Sequence, residues 1–368
     1  MATPPMAAPG KHTAITIRIP DGGIRKPAPR PLVIPIFIPH RGCPHRCSFC
    51  NQSAITGAPE TGGGSISVRQ QVHRFLSHCK PDRSPVEIAF FGGNFLGLSR
   101  REVEFFLGEA ATVVAAGAAD SIRFSTRPDT ITESTLGWIR PFPVRTIEVG
   151  AQSMVDRVLY LSGRGHREKD TRIAMERIRK YNYAAGVQIM VGLPGESETD
   201  ARFTGTAVTA LEPDFVRIYP TVVVAGSPLA KAYTTGEYRP LRLDEAVART
   251  KILFLMFRSA GIPVIRMGLH VTSDPDLTGA VLAGPIHPAF GHLVWSEIFL
   301  DTAAGAIEHY DVAGSRLVLA AHPSNVSRLQ GHRCDNLTTL KQRFNLKSVD
   351  AVTDSRLEKG EIRIRIAE

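Results

Sequence analysis

Residues 36–57 read IFIPHRGCPHRCSFCNQSAITG and place three cysteines directly after an apolar run. The run, residues 33–38, is typical of a buried parallel strand, so the cysteines are predicted to lie on the loop at its carboxyl end. Cys43, Cys47 and Cys50 have the spacing CxxxCxxC. Open α/β sheets and α/β barrels place their functional residues at this edge. The stretch therefore indicates both the fold class and the position of the site.

The number of thiols decides between kinds of metal centre. A structural zinc site needs four protein ligands, and the other cysteines are Cys79, in a predicted helix, and Cys334, near the far end of the chain. A [4Fe–4S] cluster held by three cysteines fits better, because its fourth iron stays open to an exogenous ligand. Phe49, directly before the third cysteine, can shield such a cluster from water. A zinc loop completed by His40 or His45 is the alternative.

The spacing with its aromatic, CxxxCxFC, resembles the signature of the radical S-adenosylmethionine (SAM) superfamily. The resemblance implies that the open iron chelates the amine and carboxylate of SAM, with Cys43, Cys47 and Cys50 as the cluster ligands.

After this loop, apolar strands and amphipathic helices alternate. Strands are predicted at residues 86–91, 122–126, 146–150, 186–191, 214–219 and 263–267, and helices near 100–116, 131–139, 154–162, 168–181, 198–211 and 243–260. Repeated βα units predict right-handed crossovers and a parallel sheet. Six such units suggest an α/β fold, a curved and incomplete (β/α)6 barrel, which the resemblance also implies.

Three regions are predicted: a flexible lead over residues 1–30, the partial barrel over 31–270, and a small C-terminal α+β extension over 271–368. The lead is rich in Pro, Ala and Gly and lacks the apolar segment of a secretory signal. In the extension, HPAFGHLVWSEIFLD and NVSRLQGHRCDNLTTLKQRF are predicted to be helical, and SRLVLAAH and EIRIRI to be strands.

The composition permits several partners. The formal net charge is +9, with 34 arginines and 10 lysines, so a nucleic acid or an anionic substrate is permitted. An Arg-rich composition that reflects base content alone is the other explanation. No apolar run is long enough for a transmembrane helix, and the clustered cysteines favour a reducing cytoplasm over a disulfide framework.

The second and third predicted strands end in candidate SAM-binding residues. FFGGNF places Gly92 and Gly93 after the second strand, where bare backbone groups suit the methionine amine, and this matches the glycine-glycine motif of the superfamily. FSTRPD follows with Ser125 and Arg127, a hydroxyl and a guanidinium for the ribose or the SAM carboxylate. Asp129 is interpreted as a helix cap and no more.

The later strands offer further candidates. Gln152, in IEVGAQS, is assigned to the ribose, and Arg164, in SGRGH, to the methionine carboxylate. GLPGES forms a tight turn beside the adenine, with Glu196 helping the helix dipole. Tyr219 ends the sixth strand and is the catalytic candidate, as a phenol that gates substrate or donates a hydrogen bond, although a strand-end aromatic lid is an equal alternative.

The ordered phrases resemble one branch, the radical SAM enzymes related to the catalytic subunit of the elongator complex, which modifies wobble uridine in tRNA. They are the cysteine loop, FFGGNF, STRPD, IEVGAQS with SGRGH, GLPGES, and RIYPT with GSPLAKAYTTGEY, and they cover residues 31–240. Elongator-type proteins carry an acetyltransferase domain, and nothing after Arg266 matches its acetyl-CoA loop. Gln188 stands where porphyrinogen-oxidising relatives place an acidic ribose ligand.

These patterns predict a radical SAM enzyme that takes one electron from a flavodoxin or ferredoxin and cleaves SAM to a 5′-deoxyadenosyl radical. Its substrate is not identified by the sequence, and tRNA is the first candidate. The alternatives are a porphyrinogen-oxidase-like radical SAM enzyme, a redox relay with a cluster but no SAM binding, and a non-catalytic iron-sulfur or zinc module that binds RNA.

Overall fold

The computed structural model describes residues 14–19, 31–38, 42–51, 67–78, 85–269 and 280–367. The chain forms two compact units, one of Gly23–Pro288 and one that combines Met1–Gly22 with Ala289–Glu368. His40, Cys79 and the predicted boundary at residue 270 lie outside the described residues. No helix in the described part of the chain has the length and apolar character needed to cross a membrane.

The strands are β1 (Ile15–Arg18), β2 (Leu32–Phe37), β3 (Val86–Phe91), β4 (Ser121–Thr126), β5 (Val144–Gln152), β6 (Ala184–Val191), β7 (Phe215–Pro220), β8 (Val223–Val224), β9 (Val264–Met267), β10 (Val281–Ala283), β11 (Arg316–Ala321), β12 (Ser348–Thr353) and β13 (Glu361–Ala367). The α-helices are α1 (Val68–Leu76), α2 (Arg100–Ala115), α3 (Glu133–Ile139), α4 (Asp156–Leu161), α5 (Glu168–Lys180), α6 (Glu198–Thr209), α7 (Pro228–Thr234), α8 (Leu243–Ser259), α9 (Phe290–Ile307), α10 (Val326–Gln330) and α11 (Asp335–Arg343).

The larger unit is built on one curled parallel sheet with the strand order β2-β3-β4-β5-β6-β7-β9. All six neighbouring pairs are parallel, as short βα units require. The sheet is a half-barrel, so the predicted fold class is confirmed. The predicted run at residues 263–267 forms β9, its seventh strand. Two elements were missed, helix α7 and the short antiparallel pair β8–β10.

Alternation along each strand separates the two faces of this sheet. On the outer face, Ile88, Phe124 and Val149 pack with helix residues such as Leu107 and Ile178 in one hydrophobic core. The helices cover that face because their apolar positions recur at helical spacing. The inner face therefore receives the remaining residues of each strand, and it carries the polar groups.

The inner face holds four charged side chains that we call the charge ladder: Glu87, Arg123, Glu148 and Arg217. Arg123 on β4 contacts Glu87 on β3 and Glu148 on β5, the latter at 3.0 Å from Nη1 to Oε1. Arg217 on β7 reaches over β6 to Glu148, at 2.8 Å from Nε to Oε2. Both carboxylates and Arg123 are buried. The two arginines and the two glutamates thus neutralise one another across strands β3 to β7.

Gly186, on β6, leaves space for the ring of Phe215. It pairs with Glu148 on β5 and with Phe215 on β7. A Cβ at this position would lie 2.3 Å from the Phe215 ring, which therefore occupies the space of the missing side chain. The Arg123 guanidinium lies over the same ring, 5.6 Å from its centroid.

The smaller unit contains a four-stranded sheet with the order β1-β13-β11-β12. Residues 15–18, inside the predicted flexible lead, form β1 and pair antiparallel with β13, so a flexible lead is wrong for these residues. Their alternating apolar pattern, ITIR, carried this signal. The predicted single helix over NVSRLQGHRCDNLTTLKQRF is divided into α10 and α11, because Arg333 and Cys334 have left-handed backbone angles. Strand β12, parallel to β11, was also missed.

Candidate functional site

The cysteine loop follows β2 and is held in place by two backbone hydrogen bonds and one from a side chain. Ser48 donates its N–H to the Ser162 carbonyl (2.9 Å), and its own carbonyl accepts from the N–H of Leu229 (2.7 Å). The Asn51 Nδ2 donates to the carbonyl of Ala225 (2.7 Å). Segments that follow β5 and β7 therefore hold the loop at the carboxyl ends of the strands.

The environment of the three thiols fits a cationic centre. Cys47 is buried, and Cys43 and Cys50 are half-buried. Burial raises the pKa of Cys43, and it raises the pKa of Cys50 to about 12, with the neighbouring Cys47 and Cys43 adding to the rise. Three thiolates at this position therefore need a positive partner, which bound iron supplies.

A zinc ion and an iron-sulfur cluster use thiolate ligands differently. In the described ranges, no group of three or more His, Cys, Asp or Glu side chains could hold one metal ion. An iron-sulfur cluster instead spreads its thiolate ligands over separate irons.

Arg164, in the SGRGH segment after α4, lies against the cysteine loop. It is buried, and its Nη1 donates to the Cys47 Sγ (3.2 Å) while its Nη2 donates to the carbonyl of Gly150 (2.6 Å). The flanking Gly163 and Gly165 have φ values of 63° and 71°. A Cβ at Gly165 would lie 2.3 Å from the His45 ring. The two glycines thus let this segment approach the loop closely enough for Arg164 to reach the sulfur.

Asn94, which directly follows Gly92 and Gly93, connects the first three strand ends. Its Nδ2 donates to the carbonyl of Gly42 at the base of the cysteine loop (2.8 Å). Its Oδ1 accepts from the Thr126 hydroxyl (2.8 Å) and from the backbone N–H of Arg127 (3.0 Å). Asn94 is fully buried. It was not predicted, although an asparagine directly after two strand-end glycines was the available signal.

Arg127 is buried and is paired with Asp129 through two hydrogen bonds, from Nε (3.0 Å) and Nη2 (2.8 Å). The interpretation of Asp129 as no more than a helix cap is therefore wrong, because its carboxylate clamps the Arg127 guanidinium. The Arg127 Nη1 is buried and has no hydrogen-bond partner within the described ranges. One nitrogen thus remains for a ligand.

Gln152 lies where β5 bulges against β6, with a φ of 67°. Its Oε1 accepts from the Gln188 Nε2 (3.1 Å), so the two amides on neighbouring strands are coupled. Ser125 is half-buried and alternates with the core residue Phe124, which places it on the inner face of β4. Ser153, in contrast, is fully buried beside Thr204 of α6 and lies away from these groups.

The sequence models of two families match this chain. The Radical SAM superfamily matches residues 37–204, and the Radical_SAM C-terminal domain matches residues 213–299. The chain belongs to the radical SAM superfamily. Structures of this superfamily bind a [4Fe–4S] cluster and SAM.

Individual relatives point to one branch of the radical SAM superfamily. A tRNA uridine(34) acetyltransferase of Methanocaldococcus infernus is 25% identical over 256 residues, which is 58% of this chain and 47% of that protein. Human Elongator complex protein 3 is 24% identical over 285 residues, 63% of this chain and 52% of that protein. The chain therefore spans about half the length of these curated relatives.

A solved structure shares the fold. It is the archaeal Elp3 of Methanocaldococcus infernus with residues 1–46 deleted. The TM-score is 0.58 at 18% sequence identity, and the match covers 73% of this chain and 62% of that chain. At this identity the likeness concerns the fold, and it agrees with the half-barrel described above.

Tyr219, the catalytic candidate in this radical SAM chain, is half-buried on β7. Its hydroxyl accepts from the Arg217 Nη1 (3.4 Å), which links it to the charge ladder. Its ring packs against the hydrophobic cluster of Val158, Met190 and Leu193, as does Phe49 of the cysteine loop. The ladder was not predicted, although a charged residue in the middle of each of four apolar strands was a visible signal.

Glu196 has a different role from the predicted support of the helix dipole. It is buried, its Oε2 accepts from the N–H of Gly192, and Arg249 lies 3.5 Å away. Burial raises the pKa of Glu196 to about 7. The Tyr238 hydroxyl donates to the carbonyl of Gly192 from the other side (2.6 Å). The carboxyl group therefore closes the GLPGE turn, and support of the α6 dipole is a secondary role at most.

Proposed function

We propose that this chain is a radical SAM enzyme in which Cys43, Cys47 and Cys50 hold the [4Fe–4S] cluster. The main support for the proposal is the contact of the Arg164 Nη1 with the Cys47 Sγ. Through this contact, a buried cation from the segment after β5 reaches the cysteine loop after β2. A charged donor at this sulfur stabilises the thiolate. Phe49, within the loop, packs against the hydrophobic cluster of Val158, Met190 and Leu193, and we assign it the role of limiting the access of water.

We assign SAM to the surrounding strand ends, with Gly92 and Gly93 for the methionine amine and Arg164 for its carboxylate. The remaining polar groups suit the ribose and the carboxylate, and they are Ser125, Arg127 and Gln152. Two observations support this assignment: the Arg127 Nη1 is buried without a partner among the described residues, and the Arg164 Nε is in the same state. Buried donors of this kind are satisfied when a ligand binds.

When bound, the cluster supplies one electron that splits the S–C5′ bond of SAM, which gives methionine and a 5′-deoxyadenosyl radical able to take a hydrogen atom from a substrate. The residues of the chain bind and orient the reactants and keep water out. Tyr219, held by Arg217, is proposed to donate a hydrogen bond to the substrate at the mouth of the half-barrel.

We further propose that the substrate is a tRNA and that the electron donor is a flavodoxin or ferredoxin. The support for tRNA is the similarity to proteins named tRNA uridine(34) acetyltransferase and a formal net charge of +9. Acyl transfer is not part of the proposal, because the similarity extends over about half of those proteins.

The test is anaerobic. The purified chain is reconstituted with iron and sulfide, mixed with dithionite and SAM, and assayed for 5′-deoxyadenosine by mass spectrometry. Cys47→Ala is expected to abolish the product, whereas Cys334→Ala, an exposed cysteine in the smaller unit, serves as the matched control and is expected to retain it.

The metal content and the EPR spectrum separate the alternatives. We expect about four irons per chain with matching sulfide, and a spectrum of the reduced cluster that changes when SAM is added. One zinc per chain would contradict the proposal and favour the RNA-binding module. A cluster whose EPR spectrum is unchanged by SAM, in a protein that makes no deoxyadenosine, would contradict it and favour the redox relay.

A further inference from the structure

Two phenylalanine rings at the carboxyl ends of β2 and β3 lie outside the hydrophobic core. Phe37 and Phe91 are the last residues of these strands and are partners in register. Their neighbours Ile36 and Phe90 belong to the core on the outer face, so alternation places the two rings on the inner face. The ring centroids are 6.5 Å apart with an interplanar angle of 45°.

Phe37 is 46% exposed, so its ring is accessible to a ligand. The same strand leads to the cysteine loop, and Gly92 directly follows Phe91. The rings therefore lie next to the groups assigned to the cluster and to SAM, and neither assignment uses them.

The charge ladder fixes the second ring. The Arg217 guanidinium lies 5.6 Å from the centroid of Phe91. The same group is held by Glu148, with Nη2 at 3.0 Å from Oε1, and it donates to the Tyr219 hydroxyl. One cation thus orients both an aromatic wall and the catalytic candidate, so the rings form a preorganised surface.

The charges of the ladder indicate what kind of substrate group can bind beside the two rings. Within the ladder, two arginines face two glutamates, so its net charge is zero and the cations are already paired. An anionic substrate group gains little there. A flat, uncharged ring gains by stacking on Phe37, since an exposed aromatic face offers dispersion and quadrupole contacts.

We propose that Phe37 and Phe91 bind an unpaired nucleobase of an RNA substrate. The inference rests on the proposed function and specifies the part of the substrate that enters the site. Proteins that act on single bases remove them from the helix and stack them on aromatic side chains. The formal net charge of +9, with 34 arginines in the chain, suits a partner that carries phosphates.

Binding is measured on the cluster-reconstituted chain with SAM and without reductant, by fluorescence anisotropy of a labelled stem–loop RNA with an unpaired loop. Phe37→Leu is expected to weaken binding by about 5- to 150-fold, the range for loss of one base–aromatic stack. Phe105→Leu is the matched control, because Phe105 is 50% exposed on α2, and it should leave the affinity unchanged.

A second variant keeps the aromatic ring and reports on it directly. Phe37→Trp should bind the stem–loop with near wild-type affinity, and its fluorescence should be quenched by the unpaired loop, whereas Phe105→Trp should show no quenching. A blunt duplex at the same salt concentration should quench neither variant.

Three results would overturn the inference: no RNA binding by the wild type, equal affinities for wild type and Phe37→Leu, or equal quenching by loop and duplex. Because no reductant is present, these results are independent of SAM cleavage. A chain that makes no deoxyadenosine but shows the Phe37 effects would refute the proposed chemistry and still support this site.

Discussion

Removal of Arg123 is the most informative perturbation of the half-barrel. Arg123 is buried between Glu87 and Glu148. In the described part of the chain it is the only cation within salt-bridge distance of Glu87, whereas Glu148 keeps Arg217. Arg123→Met retains the apolar stem and removes the charge. The variant therefore leaves one buried carboxylate with hydroxyl contacts alone, from Ser121 and Thr146.

The expected cost follows from that uncompensated charge. Breaking a buried ion pair by removal of one partner lowers the free energy of unfolding by about 3–5 kcal/mol. The matched control is Arg100→Met, which removes an exposed pair with Glu104 on α2 and should cost at most about 0.5 kcal/mol. The double variant Arg123→Met/Glu87→Gln should recover at least about 1 kcal/mol, since both charges are then absent.

Urea unfolding followed by circular dichroism measures these differences, with the slope of each transition checked against the wild type. The reasoning about the ladder would be refuted if Arg123→Met cost as little as Arg100→Met. It would also be refuted if adding Glu87→Gln lowered the stability further by its full independent amount, because the two residues would then be uncoupled.

Three further outcomes are expected. Asn94→Asp replaces the Nδ2 donor to the carbonyl of Gly42 with an oxygen, so iron per chain after reconstitution should fall; normal loading would contradict this role. Arg164→Gln removes a charged donor to the Cys47 Sγ, so an EPR-monitored titration without SAM should give a more negative cluster potential, not an equal or higher one. The raised pKa of Glu196, about 7, means that the wild type loses stability as pH rises from about 4.5 to about 7. Glu196→Gln should gain stability relative to the wild type over that range in urea unfolding, and a difference independent of pH would count against the assignment.

The local pattern of the chain was enough to predict the fold of the larger unit. Buried parallel strands are continuous apolar runs, and the helices between them carry one apolar face, so their order and spacing specify a parallel half-barrel. The cysteine loop could be placed at a strand end for the same reason. These features depend on residues that are close in sequence, which is why they can be read without coordinates.

The partners of the charged and polar residues depended on the tertiary structure. Asp129 and Glu196 were interpreted by their distance from a helix start, yet one clamps Arg127 and the other closes the turn at Gly192. β1 has a local alternating pattern, but the partner that makes it part of a sheet, β13, lies more than three hundred residues away in the chain.

The charge ladder shows the physical reason most clearly. The sequence placed charged residues inside four apolar strands, but the pairing of Arg217 with Glu148 joins β7 to β5, two strands that are not neighbours in the sheet. A buried charge is tolerated only where an opposite charge meets it. Sequence therefore determined which strands form and where the thiols lie, while the packing of distant strands decided which charges meet and which rings remain exposed at the mouth.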